Sequence, residues 1–215
     1  MSQWINKFIS DHQIAEVSNL VKQAELQTSG EVVPVIIRQS GRYQYLAMYF
    51  AFSVLLSLLF IQPSFMHLFY SGFWQLIWLV LFIVFYFIGL LLSRSSWFVR
   101  MFVSQAELLK NVEERAEFEF YRHGLMKTDD STGVLLFVSL LEHKAVILAD
   151  KGISEKLPKE YWQKTLAQMI PFFKQKDLFS AYKLGINSIG EELKTHFPKR
   201  GQDVNELSNH LIILE

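Results

Sequence analysis

Hydrophobic residues form three patterns along the chain: amphipathic stretches, short apolar runs and two long uncharged segments. Ser10 and Gln13 make a helix-capping box, and the apolar residues that follow recur at helical spacing as far as Thr28. Glu31–Ile37 is almost continuously apolar, which predicts a strand buried on both faces. Because Pro34 cannot donate a backbone hydrogen bond, we expect this strand to lie at a sheet edge or to carry a bulge there.

The second half of the chain alternates the same two kinds of local pattern. Two apolar runs predict strands joined by a tight turn, in which Glu142 and His143 are expected to be solvated. The tail, residues 197–215, shows little periodicity, although Leu211–Leu214 can form a short strand or dock on the core. The predicted elements are a helix at Ser104–Tyr121, strands at Gly133–Leu140 and Ala145–Ala149, and helices at Pro158–Phe173 and Asp177–His196.

The two long apolar segments, Tyr45–Ile61 and Phe73–Leu92, contain no charged residue. At a rise of about 1.5 Å per residue, each is close to the length that crosses about 30 Å of hydrocarbon. The short connection between them, Gln62–Gly72, requires the two segments to run antiparallel. The sequence therefore predicts a transmembrane helical hairpin whose partner is the lipid bilayer.

Charges on either side of this hairpin predict its orientation. Arg38 and Arg42 precede the first segment, and Arg94 and Arg100 follow the second, whereas the connecting loop has no Lys or Arg. Because cytoplasmic flanks carry the excess of Lys and Arg, both chain termini are expected in the cytoplasm of a cell-membrane protein with two spans. The spans contain no acidic or basic residue, which argues against a channel or transporter and favours an anchor.

The order of elements predicts an α/β fold with a small mixed sheet covered by helices. A strand, a helix and a parallel strand form a right-handed βαβ unit, and the hairpin is inserted in this first crossover connection. Residues 1–42 and 95–196 are accordingly expected to form two parts of one cytoplasmic domain. Residues 43–94 form the hairpin, and residues 197–215 form a C-terminal tail.

Composition and motifs exclude several classes of function. The formal net charge is zero and no Lys- or Arg-rich run occurs, so no nucleic-acid partner is expected. The absence of cysteine excludes disulfides, thiolate metal sites and cysteine nucleophiles. The chain also lacks a phosphate-binding P-loop, a His-Glu-x-x-His zinc motif and a Gly-x-Ser-x-Gly nucleophile elbow, so the sequence leaves open whether it is an enzyme.

Strand directions predict a cluster of acidic residues at one edge of the sheet. The first two strands are parallel and the third is antiparallel to the second, so Glu31, Asp129, Asp130 and Asp150 should converge. Carboxylates are the ligands that Ca²⁺ or another hard divalent cation prefers, and such an ion could position water for attack on a phosphate. The alternative is that these side chains only cap strands, turns and helix starts.

Four stretches of the sequence carry a resemblance to known proteins: Ala24–Glu25 with Thr28–Val33, Thr132–Leu140, Val146–Ile153, and Phe197–Pro198 with Asn205–Leu207. Together they resemble the TPM domain family, and in particular its bacterial membrane-anchored branch. The resemblance implies an α/β sandwich with a small central sheet. It also implies a role in the assembly or maintenance of membrane protein complexes, with another membrane protein as partner; the alternative is a divalent-metal-dependent phosphatase-like hydrolase. Calcium binding and acid phosphatase activity are associated with some members.

Overall fold

The computed structural model describes residues 4–61, 72–128, 130–199 and 206–215. The order of elements agrees with the predicted α/β pattern, with additional short helices. A 3₁₀ helix at Ile5–Lys7 precedes the first α-helix. The α-helices are α1 Asp11–Glu25, α2 Tyr45–Ile61, α3 Gly72–Leu92, α4 Ser96–Phe102, α5 Gln105–Arg122, α6 Lys151–Ser154, α7 Gln163–Lys174 and α8 Leu178–His196; the strands are β1 Glu31–Ile37, β2 Gly133–Ser139, β3 Lys144–Ala149 and β4 Ile212–Leu214.

The chain divides into two compact units. The first, the α/β unit, consists of Met1–Ser40 and Leu109–Glu215, and the second, the hairpin unit, is Gly41–Leu108. The hairpin unit thus interrupts the chain between β1 and β2. The finer division of the sequence at residues 42, 94 and 196 stays a prediction.

The α/β unit contains a four-stranded mixed sheet in the order β3-β2-β1-β4. β1 pairs in parallel with β2 from Glu31 opposite Gly133 to Ile37 opposite Ser139. β2 pairs antiparallel with β3. The C-terminal tail supplies β4, which runs parallel to β1. The predicted mixed sheet with a parallel first pair is therefore confirmed.

Pro34 lies in the part of β1 that β4 does not reach. The prediction of an edge position or a bulge is wrong for the strand as a whole, because β1 has neighbours on both sides and an unbroken register with β2. However, β4 pairs only with Val35–Ile37. The backbone N–H groups of even-numbered residues along β1 point to the side of β4, since Arg38 N, directly after the strand, donates to Leu214 O at 3.3 Å. The nitrogen of Pro34 consequently faces an uncovered stretch of the strand, where a missing donor costs little.

Apolar side chains cover both faces of the sheet, which explains why β1 and β2 are hydrophobic at nearly every position. On one face, Ile36 and Leu136 belong to a core with residues of α1, α7 and α8. On the other face, Val35 and Phe137 pack with α5. Both strands are fully buried along their length, as expected for a sheet sandwiched between helices.

One hydrogen bond ties α8 to the central strand. The hydroxyl of Tyr182, a fully buried residue, donates to Val35 O at 2.8 Å. We expect Tyr182→Phe to lower the free energy of unfolding by about 1–2 kcal/mol, because a buried hydrogen bond is lost while packing is kept. Tyr161→Phe is the matched control, since Tyr161 is 46% exposed and its hydroxyl donates to Glu192 on the surface. Urea unfolding of both variants should show a clear loss for the first alone.

In the hairpin unit, α2 and α3 pack side by side and antiparallel. The backbones approach so closely that a Cβ on Gly89 would lie 2.7 Å from the Cα of Ala47. Farther along, the rings of Phe52 and Phe82 meet edge to face at 6.2 Å. Later residues of α2 therefore contact earlier residues of α3, so the two helices run antiparallel, as predicted. Small residues at such a crossing allow close helix packing.

Neither helix of the hairpin unit meets criteria for a membrane span alone. Within the described part of the chain, no single helix is both long and apolar enough to cross a membrane. In α2 the apolar stretch that can be assessed, Tyr45–Leu58, is too short. Leu76–Leu92 and Ser96–Phe102 reach the required length and hydropathy together, across a bend of 103°. Of the predicted connecting loop, all residues but Gly72 lie outside the described residues.

Candidate functional site

Two glutamates meet where α1 ends and β1 begins. β4 does not extend as far as Val32, so the N–H of Val32 has no strand partner on that side. Glu25, the last residue of α1, fills this gap: its Oε1 accepts from Val32 N at 2.9 Å. Glu31, the first residue of β1, accepts from the backbone N–H of Glu206 in the tail at 3.1 Å. The two carboxyl groups therefore complete the edge of the sheet and fasten the tail to it.

The Glu25 and Glu31 side chains share an environment that favours a proton. The pKa of Glu25 is raised from 4.5 to about 8, mainly by burial and in addition by the charge of Glu31 and a hydrogen bond between the two side chains. The bonds from Val32 N and from Asn209 act in the opposite direction but are smaller in sum. Since like charges this close do not both ionise readily, the pair holds one proton at neutral pH.

The glutamate pair lines a cleft between α1 and the tail, with a volume of about 440 Å³. Asn209 also lines it and donates its amide to Glu25 Oε2. The cleft therefore contains both acidic and basic groups and polar donors on the tail. Its lining residues are Ser18, Asn19, Lys22, Glu25, Leu26, Glu31, Lys199, Asn209 and His210.

A second cleft of about 290 Å³ lies at the same end of the sheet. Lys156 organises one wall: its Nζ lies 4.4 Å from the centre of the Phe197 ring and donates to His196 O at 3.3 Å. Thr28 Oγ1 donates to Phe197 O at 2.6 Å, which holds the start of the tail against the β1 end. The lining residues are Ser29, Asp130, Thr132, Gly152, Lys156, His196, Phe197, Pro198 and Lys199.

The three predicted metal ligands that the structure describes occupy different surroundings. Glu31 is paired with Glu25 in the first cleft, and Asp130 lines the second cleft. Asp150 caps α6, where its Oδ1 accepts from Lys151 N at 2.7 Å. Asp129 lies outside the described residues. Among the residues that the structure does describe, no group of three or more His, Cys, Asp or Glu side chains could hold a metal ion. The hard-cation site stays a prediction.

Two acidic residues have roles that sequence reasoning missed. Glu25 is the partner of Glu31, and the only available signal was the short spacing between the end of α1 and the start of β1. Glu142 was expected to be solvated, but it is 1% exposed. Its carboxylate accepts from Ser40 N at 2.8 Å and from the hydroxyl of Ser139. Glu142 therefore ties the β2–β3 turn to the chain that leaves β1.

Comparison with known proteins agrees with this architecture. Residues 99–192 match the family model described as the TPM domain. The NMR structure of the BA42 protein from the psychrophilic bacterium Bizionia argentinensis is similar, with a TM-score of 0.59 and 18% sequence identity over 96% of this chain and 95% of that chain. At that identity the likeness concerns the fold alone. No curated protein sequence matches this chain.

Proposed function

We propose that this chain, whose residues 99–192 match the TPM domain family model, is a membrane-anchored TPM domain protein that serves the assembly or maintenance of membrane protein complexes. In this proposal α2 and α3 cross the bilayer, and the α/β unit faces the cytoplasm. Its partner is another membrane protein.

The observation that carries this proposal is the outward surface of the hairpin unit. α2 and α3 contain no charged residue and have 17 and 21 residues, which correspond to about 25 Å and about 31 Å of helix. Large apolar side chains point away from the helix pair, a surface that water disfavours and lipid accepts. They are Met48, Tyr49, Phe52, Leu56, Leu76, Leu79, Val80, Ile83, Val84, Phe87, Ile88 and Leu91.

An assembly role fits the α/β unit better than catalysis does. The glutamate pair accepts backbone and side-chain hydrogen bonds from the tail, which is how an extended segment is held at a sheet edge. No observation among the described residues favours the phosphatase-like alternative. The clefts on this edge, with Lys22 and Lys199 at their walls, offer polar contacts to a partner.

Photo-crosslinking in native membranes tests the proposal. Since the chain has no cysteine, a photoreactive label can be attached at a single introduced one. We expect Lys22→Cys, at the first cleft, to capture the same membrane protein in repeated preparations. Lys183→Cys, exposed on α8 and outside both clefts, is the matched control and should capture it far less.

The same preparations report on anchoring. Alkaline carbonate should leave the chain in the membrane pellet, because a hairpin embedded in hydrocarbon is not released by high pH. Extraction of the chain into the supernatant would refute the anchor. If the chain stays in the pellet but the labelled Lys22→Cys variant captures no reproducible membrane protein, the assembly role is refuted.

A further inference from the structure

The chain turns sharply after α3. α3 ends at Leu92, and α4 begins at Ser96 in a direction that differs by 103°. Ser93 and Ser95 occupy the break, and the backbone N–H of each still donates to a carbonyl of α3. The turn is therefore built from satisfied hydrogen bonds, and it sets α4 nearly perpendicular to α3.

α4 has one buried side and one side that is apolar yet exposed. Phe98 and Val99 are buried, and the ring of Phe98 packs against that of Phe50 in α2 at 5.9 Å. In contrast, Trp97, Met101 and Phe102 are 69%, 64% and 58% exposed. Trp97 and Met101 are four residues apart and so share one face of the helix.

Basic residues border this exposed apolar face. Arg94 lies in the turn before α4 and is exposed, and Arg100 lies within α4 and is also exposed. A short helix with Trp on an apolar face and Arg beside it has the composition of a segment that rests at a membrane surface. Anionic phosphate groups would complement the Arg94 guanidinium.

We propose that α4 is an interfacial helix that binds the cytoplasmic surface of an anionic phospholipid bilayer through Trp97 and Met101. This inference rests on the proposed membrane anchoring. If α3 lies within the usual tilt of about 20° from the bilayer normal, a turn of 103° lays α4 close to the membrane plane. Trp97 and Met101 then enter the boundary between headgroups and acyl chains, and Arg94 remains at the level of the phosphates.

Spin-label depth measurements on the full chain in lipid nanodiscs test this placement. Trp97→Cys and Met101→Cys carry the label in separate variants, because the natural chain has no cysteine. Leu56→Cys on α2 is the deep reference, and Lys110→Cys on α5 is the aqueous reference; both positions are exposed in the structure. The nanodiscs contain phosphatidylcholine, with or without phosphatidylglycerol.

We expect labels at residues 97 and 101 to lie about 5–10 Å below the headgroup boundary, accessible to dissolved oxygen and shielded from a water-soluble nickel complex. The label at residue 56 should be deeper, and the label at residue 110 should be reached by nickel. Adding Arg94→Gln to the Trp97→Cys variant should make its label more accessible to the nickel complex in nanodiscs that contain phosphatidylglycerol. Lys110→Gln, the matched charge control, should leave it unchanged.

The references separate failure of this inference from failure of the anchor. One outcome would overturn the interfacial helix alone: nickel reaches the labels at residues 97 and 101 as readily as the label at residue 110, while the label at residue 56 remains deep in the bilayer. A label at residue 56 in water would overturn the anchor itself. Labels at residues 97 and 101 that neither oxygen nor nickel reaches would also overturn the inference, because a protein would then cover α4.

Discussion

Replacing residues 41–104 with a Gly/Ser linker is expected to move the chain from the membrane fraction to the soluble fraction as a folded α/β domain. The excised segment holds α2, α3 and α4 and nearly all of the exposed large apolar surface of the hairpin unit. The sheet and both of its cores are built from the rest of the chain. Sedimentation after cell lysis and urea unfolding by circular dichroism would measure the two parts of this prediction.

The linker itself provides the control for this experiment. About 12 Gly/Ser residues have an r.m.s. span of roughly 19 Å, and doubling the linker should change stability by only about 0.6 kcal/mol if the connection is passive. A soluble product that unfolds without cooperativity and exposes apolar surface would contradict the prediction, since the hairpin would then be part of the core that holds the sheet.

Glu25→Gln is expected to stabilise the α/β unit at pH 8 by about 2 kcal/mol. Glu25 has a folded-state pKa of about 8 against an ordinary value of 4.5, mainly because it is buried and secondly because Glu31 is beside it. The full shift would correspond to a larger energy, which partial solvent access and sharing of the proton with Glu31 reduce. Gln retains an oxygen for the Val32 N–H and carries no charge to bury.

The sign of the effect follows from proton binding. Below about pH 4.5 Glu25 is protonated in both the folded and the unfolded state, so its raised pKa does not lower the free energy of unfolding. As pH rises from 4.5 towards 8, only the folded state keeps the proton, and the stability of the natural chain falls. The Gln variant should lack this fall, so the difference between the two proteins grows across that window and levels off above it.

The measurement is urea unfolding of both proteins in non-ionic detergent at several values between pH 5 and pH 9. Glu117→Gln on the exposed face of α5 is the matched control and should leave the pH profile of the natural chain unchanged. A Glu25→Gln variant with the same pH profile as the natural chain would contradict a proton shared between Glu25 and Glu31. A variant destabilised at every pH would instead show that the carboxylate is needed as an acceptor for Val32 and Asn209.

Elements with strong local patterns were predictable. β1 and β2 are runs of apolar residues buried on both faces, and their parallel pairing follows from the helix that lies between them in the chain. The capping box at Ser10 and Gln13 is present, with Gln13 N donating to Ser10 Oγ at 3.3 Å. Short helices were missed, because α4 and α6, of seven and four residues, are too short to establish a period.

The candidate site was predictable only in part. The predicted parallel and antiparallel pairing is present, and Glu31, Asp130 and Gly152 line clefts at one end of the sheet. That reasoning placed whole strand ends and not individual side chains, so it did not separate the two clefts. The burial of Glu142 was equally invisible, because its partner Ser40 is about 100 residues away in the chain.

By itself the sequence determined the α/β class, the paired core strands and the uncharged helical pair inserted between them, because hydrophobic periodicity and the absence of charge are local properties. Only the tertiary structure decided that β4 stops short of Val32, that Glu25 and Glu31 together with the tail cover the part of β1 that β4 does not reach, and that α4 turns away from α3. These features depend on where distant segments cross. A carboxyl group acquires its pKa, and an apolar face its exposure, from neighbours that the linear order does not identify.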